Sequence, residues 1–335
     1  MDRPLVALVL AGGTGTRLYP ASRSDRPKQF LPLSGGESLL ARTAERASFA
    51  DETFVSTREA FAPEVPEHAP DATVIVEPEA KDTGPALVYA THRIREVVGD
   101  CVVLALPSDH HVAGDAAFEA TARTGARVAA DAGSLVTFGV EPTRPDTGYG
   151  YVEPGADRGD HFELAGFHEK PDAETAARYV EAGYLWNAGI FAWTPEALLG
   201  AARDSPLAPL VEALESGDPE AGFGAVDPVS VDYAVMERAA DAAVVPADFA
   251  WDDLGSWDAL ERTLEPDSAG NVALGDALAV DASGNVIASD DKHVSLVGVE
   301  GLAVIAWDDR VLVVPKAEAQ RVREVVAALK EEERF

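Results

Sequence analysis

The sequence predicts an α/β fold: a mixed, mostly parallel sheet flanked by helices, followed by a small C-terminal β region. Three observations carry this reading. Short apolar runs alternate with helix-like segments through the first 110 residues, the pattern of strands joined by crossover helices. The first run empties into a glycine-rich turn, as at the carboxyl end of a buried parallel strand. Beyond about residue 265 the texture changes to short strands between polar turns.

The elements follow in order. Residues 5–10 are uninterrupted Leu, Val and Ala and read as a central strand. A helix is expected over 38–47, strands near Phe54-Val55 and over 73–76, a helix over 84–98 and a strand over 101–106. A further helix (116–130) and strand (135–140) complete this part. The segment 146–152 is hinged by glycines, and 162–170 resembles a strand ending in Glu169-Lys170-Pro171. Residues 173–182 read as a helix. The run 186–193 alternates aromatic and small residues, as in a strand that passes close to a ligand. From 271 to 314, Gly-Asp, Ser-Gly-Asn, Asp-Asp and Glu-Gly turns separate short strands. This suggests a few coils of a β-solenoid, closed by a helix over 317–330. Two domains are expected, 1–265 and 266–335.

The chemistry begins at Leu10-Ala11-Gly12-Gly13-Thr14-Gly15-Thr16-Arg17. Glycines let backbone N–H groups approach a phosphate with no Cβ in the way. Arg17 and Lys28, eleven residues apart, then offer cations for phosphate charge. The Walker loop is excluded, because no Gly-Lys-Ser/Thr tripeptide occurs. The dinucleotide fingerprint is excluded too, since Leu18 stands where its third glycine belongs. Pro107-Ser108-Asp109-His110 follows the 101–106 strand at the same edge of the sheet. A carboxylate directly after a buried strand is costly unless it is used, so Asp109 is a metal-ligand candidate. His110-His111 lacks a spaced partner such as His-Glu-x-x-His and reads as packing or hydrogen bonding beside the site.

Composition bounds the partners. The net charge of −31 repels nucleic acid and anionic membrane. No run approaches the ~20 apolar residues of a membrane span. Met1-Asp2-Arg3-Pro4 leads straight into the first strand, so no signal peptide is expected. The single cysteine, Cys101, permits no disulfide framework and fits a reducing cytoplasm. Acid spread along the whole chain is expected of a cytoplasmic protein of a high-salt organism, the alternative being an ordinary acidic enzyme. In such a chain lysine is rare (28, 81, 170, 292, 316 and 330), which makes Lys28 and Lys170 informative.

Five segments together resemble one family: Gly12–Arg17, Arg26-Pro27-Lys28-Gln29-Phe30, Pro107–His110, Glu169-Lys170-Pro171 with Trp186-Asn187-Ala188-Gly189, and Trp251-Asp252-Asp253-Leu254-Gly255-Ser256-Trp257. In this order they resemble the sugar-1-phosphate nucleotidylyltransferases. Pro27–Leu31 and Asn187–Phe191 look like the mannose-1-phosphate guanylyltransferases among them. The resemblance implies a Rossmann-like nucleotidyltransferase domain with a short β-helix-like C-terminal domain. It implies transfer of GMP from GTP to mannose 1-phosphate with Mg²⁺, in a homodimer. Longer relatives carry an isomerase domain after this region, and that activity is not expected of a chain ending at Phe335. The alternatives are thymidylyl or uridylyl transfer to glucose 1-phosphate, and a non-catalytic regulator that binds a nucleotide sugar.

By the same resemblance, Leu10, Ala11, Gly12, Gly13, Thr14, Gly15, Thr16, Asp82, Thr83, Pro107, Ser108 and Asp109 bind the nucleotide. Arg17, Lys28 and Asp109 are the catalytic residues. Asp109 and Asp253 hold the metal, with Asp252 as the rival to Asp253. Gly150, Glu169, Lys170 and Asn187 take the sugar phosphate. Lys81-Asp82-Thr83 stands where the family commonly has Arg-Asn-Thr, which puts a carboxylate in place of an amide that could donate. Residues 230–237 look like a further family element, with no chemistry assigned.

The charge makes one prediction directly. The Debye length grows from ~3 Å at 1 M salt to ~10 Å at 0.1 M, so self-repulsion returns on dilution. Thermal melts should show Tm climbing from dilute buffer to molar KCl. A flat profile contradicts the high-salt reading.

Overall fold

The computed structural model describes residues 3–33 and 36–335. The chain forms two compact units, each discontinuous in sequence. One comprises the chain up to Gly12, Ala44–Pro107 and Ala113–Phe249. The other comprises Gly13–Thr43, Ser108–Val112 and Ala250–Phe335.

The first unit is built on a nine-stranded mixed sheet. Leu5–Leu10 lies between Glu52–Arg58 and Val102–Pro107, parallel to both, and Thr73–Glu77 adds a fourth parallel strand. Leu5–Leu10 and Val102–Pro107, the inner two of these four, are apolar throughout, which suits strands covered by helices on both faces. Leu185–Trp193 runs antiparallel to Val102–Pro107 and to Leu135–Val140. Ala242–Pro246, Phe162–His168 and Tyr151–Asp157 extend the far side. Val6, Leu8, Val103, Ala105, Phe191 and Trp193 share one face with the helices Thr83–Val98, Pro195–Arg203 and Ala208–Glu215. Asp115–Ala132 covers the other face. There Gly125 lies so close to the Phe138 ring that any side chain would overlap it.

The parallel strands end in register. Leu10 pairs with both Ser56 and Pro107, and Arg58 pairs with Glu77. Four chain ends therefore reach one edge of the sheet, where ligands of open α/β sheets bind.

The second unit packs Leu18, Leu31 and Leu33 from the N-terminal part against Trp257, Val286, Ile305 and Val326 from the C-terminal part. The indole N–H of fully buried Trp257 donates to the Tyr19 carbonyl at 2.9 Å. The short C-terminal strands coil as expected: Val272–Leu274, Val286–Ser289 and Leu302–Trp307 stack in parallel, as do Ala277–Val280 and Val294–Val297. Buried asparagines climb the stack. Asn285 Nδ2 donates to Asn271 Oδ1 at 2.9 Å and to the Val299 carbonyl at 3.2 Å, and its own Oδ1 accepts from Leu302 N–H at 2.9 Å. Each amide thus satisfies backbone groups that the turns leave open. The closing segment divides into a 3-10 turn (Lys316–Arg321) and an α-helix (Val322–Glu331), where the sequence pattern predicts one helix.

Asn285 is 1% exposed, so Asn285→Ala strands several polar groups away from water. About 1–3 kcal/mol per stranded group is expected. Chemical denaturation should show a lower midpoint than for the exposed control Val311→Ala. Equal midpoints contradict the ladder's role.

Candidate active site

In the second unit the glycine turn and Lys28 are one construction. Gly15 has φ +66°, the left-handed region that favours glycine. A Cβ placed there would lie 2.5 Å from Lys28 Cγ and 2.6 Å from its Cδ. The lysine stem thus runs through the space that the missing side chain vacates. Ser22 Oγ donates to the Gly15 carbonyl at 2.5 Å and fixes the turn from behind. The N–H groups of Gly13, Thr14 and Gly15 have no backbone acceptor among the described residues and stay open to a ligand. Lys28 opens the single turn Lys28–Phe30, which buried Gln29 and Phe30 anchor.

Lys28 Nζ forms an ion pair with Asp109 Oδ2, and both side chains are largely buried. Burial lowers the Lys28 pKa to about 8; the charge of Asp253 acts in the opposite direction, and that of Arg17 adds to the lowering. The ammonium therefore sits where an arriving anion would stabilise it. Exposed Arg17 reaches Gln320 Oε1 at 3.5 Å. Arg17, Lys28, Asp109 and Asp253 all belong to this one unit, although they are drawn from three separate stretches of the chain.

The two candidate aspartates at 252–253 are distinct. Arg262 donates to both oxygens of buried Asp252, at 2.5 and 3.0 Å, and Leu254 N–H donates to it as well. That carboxylate is committed to holding the chain. Asp253 accepts from Gly255 N–H at 3.2 Å, and its charge is felt at Lys28. His110 behaves as its sequence context suggests. Trp251 Nε1–H donates to His110 Nδ1 at 3.0 Å, with the rings edge to face.

In the first unit the turn begins with its carbonyls engaged. Thr57 Oγ1 donates to the Ala11 carbonyl at 2.8 Å and Arg58 Nε to the Gly12 carbonyl at 2.6 Å. Beside them stands Glu77, which no motif in the sequence singles out. It is 8% exposed, accepts from Ser56 Oγ at 2.9 Å, and would lie 3.2 Å from a Cβ at Gly12. Burial raises its pKa, and the Ser56 hydroxyl and Arg58 offset part of that rise. A signal for it does exist: Glu77 ends a strand at the same edge, the argument that applies to Asp109. Asp82, at φ +69°, caps the helix Thr83–Val98 by accepting from Thr83 N–H at 2.7 Å. The Thr83 hydroxyl accepts from Val231 N–H. Lys81 donates to the carbonyls of Phe223 and Val226 and is thereby structural.

Gly150, Glu169, Lys170 and Asn187 do come together. A side chain at Gly150 would overlap the Glu169 carboxylate, and Asn187 N–H donates to the Gly150 carbonyl at 2.8 Å. Lys170 Nζ pairs with Glu169 Oε1. The segment 230–237 closes this cluster. Asp232 Oδ1 accepts from Asn187 Nδ2 at 2.9 Å, and Glu237 accepts from the Glu169 backbone N–H.

Among the described residues no group of three or more His, Cys, Asp or Glu is arranged to hold a metal. No helix among them is long and apolar enough to cross a membrane. A cage made wholly of protein is thus not built. Asp109 and Asp253 both act on Lys28, the first as its ion-pair partner and the second through its charge.

Comparison with known proteins shows the family. The nucleotidyl transferase family profile matches residues 6–268, and that of the MannoseP isomerase/GMP-like beta-helix domain matches 275–329. The chain is 39% identical over 97% of its length to the xanthan biosynthesis protein XanB of Xanthomonas campestris pv. campestris (strain B100), covering 73% of that protein. It is 36% identical over 98% of its length to a mannose-1-phosphate guanylyltransferase of Escherichia coli, covering 75% of that protein. A crystal structure from Thermus thermophilus, described as a mannose-1-phosphate geranyltransferase, superposes with a TM-score of 0.92 at 38% identity. That match covers 98% of this chain and 99% of the other.

Lys28→Ala removes the buried cation and should lower nucleotidyl transfer by at least ~10²-fold, the scale of one lost charge-stabilising contact. Gly15→Ala should do comparable damage with every charge retained, because its Cβ displaces the lysine stem. Near-normal turnover in both variants contradicts the construction.

Proposed function

Because this chain belongs to the nucleotidyl transferase family, we propose that it transfers GMP from GTP to α-D-mannose 1-phosphate, giving GDP-mannose and pyrophosphate. The observation that carries the chemistry is the buried Lys28 ammonium, threaded past Gly15 and flanked by two carboxylates. Near full-length likeness to a curated guanylyltransferase of mannose 1-phosphate supports the choice of base and sugar.

In this reading an oxygen of the sugar phosphate attacks the α-phosphorus of GTP. The bond from that phosphorus to the bridging oxygen of the β-phosphate breaks, and pyrophosphate leaves in line. The nucleophile is already an anion, so no general base is required. Positioning and charge neutralisation carry the step. Leu10 to Thr16 offer backbone to base, ribose and phosphates, together with Asp82, Thr83, Pro107 and Ser108. Lys28 neutralises the α-phosphate as charge builds, and Arg17 holds the β- and γ-phosphates. Glu77 offers a carboxylate acceptor, which suits the N1–H and N2–H₂ edge of guanine. Gly150, Glu169, Lys170 and Asn187 receive the mannose 1-phosphate. Asp109 and Asp253 would hold Mg²⁺, which supplies electrostatic stabilisation of phosphate oxygens when bound.

The division into a catalytic part (1–265) and a β-helix part (266–335) belongs to the same reading, as do the cytoplasm and the homodimer. Exposed Leu278, Val280 and Val297 on the β-helix strands support self-association.

The test is pyrophosphate release in molar KCl with Mg²⁺, across four nucleoside triphosphates and a panel of sugar 1-phosphates. GTP with mannose 1-phosphate should be the best pair, and excess chelator should abolish release. Asp253→Asn should shift the Mg²⁺ dependence, whereas Asp252→Asn should act through stability. Full activity in chelator, or a clear preference for dTTP or UTP with glucose 1-phosphate, overturns the proposal.

A further inference from the structure

The Asn187 amide is already spoken for on its acceptor side. An amide carbonyl has two lone pairs. Here Thr137 Oγ1 donates to Asn187 Oδ1 at 2.8 Å and Gly189 N–H donates at 3.1 Å. Asn187 Nδ2 then donates to Asp232 Oδ1 at 2.9 Å. What Asn187 can still offer a ligand is one N–H. A sugar hydroxyl that needs an acceptor must find it elsewhere.

We propose that Asp232 is that acceptor: with Glu169 it reads the hydroxyls of the sugar phosphate, and the Thr137–Asn187 relay holds it in place. This rests on the sugar-phosphate reading of the site above. The relay has a direction. The Thr137 hydroxyl on Leu135–Val140 fixes the amide on Leu185–Trp193, and the amide fixes the carboxylate on the short helix Val231–Ala234. Three elements distant in sequence are thereby set to one geometry. No other side chain among the described residues donates to Asp232, so its carboxylate keeps acceptor capacity.

The electrostatics agree. Burial and the charge of Glu169 raise the Asp232 pKa to about 6, while Lys170 and the Asn187 amide offset part of that rise. Lys170 pairs with Glu169, so two carboxylates share one ammonium. Such a pair gains from each hydroxyl donor it receives. Two adjacent carboxylates favour a ligand with vicinal hydroxyls, and Lys170 favours one that also carries phosphate.

The experiment is calorimetric binding in molar KCl of mannose 1-phosphate and its 2-, 3- and 4-deoxy analogues, with GTP binding measured alongside. Asp232→Asn keeps the shape and replaces a charged acceptor by a neutral one. It should weaken mannose 1-phosphate by ~10-fold or more, the scale of a charge-assisted hydrogen bond, and leave GTP affinity within ~2-fold. Wild type should reject at least one deoxy analogue by ~10-fold, and the variant should bring that ratio below ~3-fold. Thr137→Val, which frees the amide without touching the carboxylate, should weaken the sugar phosphate by ~3-fold in the same direction. It carries the test if Asp232→Asn is unstable. Unchanged ratios across the analogues in a folded Asp232→Asn, or an unchanged affinity in Thr137→Val, overturn the inference. If wild type transfers nucleotide normally while these ratios stay fixed, only Asp232 is misassigned. If wild type transfers to no sugar phosphate, the reading beneath it falls as well.

Discussion

Lys28 must keep a positive charge in a place that water scarcely reaches. Burying an ammonium is expensive, and the pKa lowered to about 8 is the mark of that expense. Three features make it tolerable. Gly15 leaves room for the stem, Asp109 pairs with the head, and the carboxylate of Asp253 adds an opposing field. In the proposed reaction an arriving phosphate would meet a cation that is already desolvated, with little reorganisation left to do. Much of the second unit maintains that arrangement. Trp257 ties the region of Tyr19 to the C-terminal segment, and Arg262 clamps Asp252 so that its neighbour is held still.

The first unit holds a different kind of cluster, assigned to the sugar phosphate in the proposed function. Its cluster is dense in neutral and charged hydrogen bonds from Thr137, Asn187, Asp232, Glu169 and Glu237. Gly150 serves here as Gly15 does in the other unit, by an absent side chain that lets a functional group occupy the space. Glycine at both places is a packing requirement of the neighbouring side chain.

Local signals in the sequence are strong wherever a strand is mostly apolar. Leu5–Leu10, Leu135–Val140 and Leu185–Trp193 lie within a residue of their expected limits, because a buried strand leaves little room for polar residues, Thr137 and Asn187 being the two that pair with each other. The β-helix coils are legible from their turns. The short helices between 195 and 234 and the strand Ala242–Pro246 are not, since tertiary packing rather than a long periodic pattern specifies them. The interleaving of Gly13–Thr43 with the C-terminal segment is also hidden, because composition does not report which apolar residues meet. Among candidate site residues, Arg17, Lys28, Asp109 and Asp253 stand out through motif and order. Asp232 and Glu77 do not, for opposite reasons. Asp232, on a short helix, is held by Asn187 on a strand distant in sequence, which no local pattern reveals. Glu77 sits in plain view at a strand end but belongs to no motif.

In the proposed reaction GMP passes in one step from pyrophosphate to the sugar phosphate, driven by fixed charge and without an enzyme-bound intermediate. The stereochemistry at the transferred phosphorus tests this most directly. The measurement is ³¹P NMR analysis of the α-thio GDP-mannose formed from a single diastereomer of guanosine 5′-O-(1-thiotriphosphate). A single in-line displacement predicts inversion at the α-phosphorus. Net retention would mean two displacements and a covalent guanylyl-enzyme, and would contradict a site whose buried lysine serves as a counter-charge.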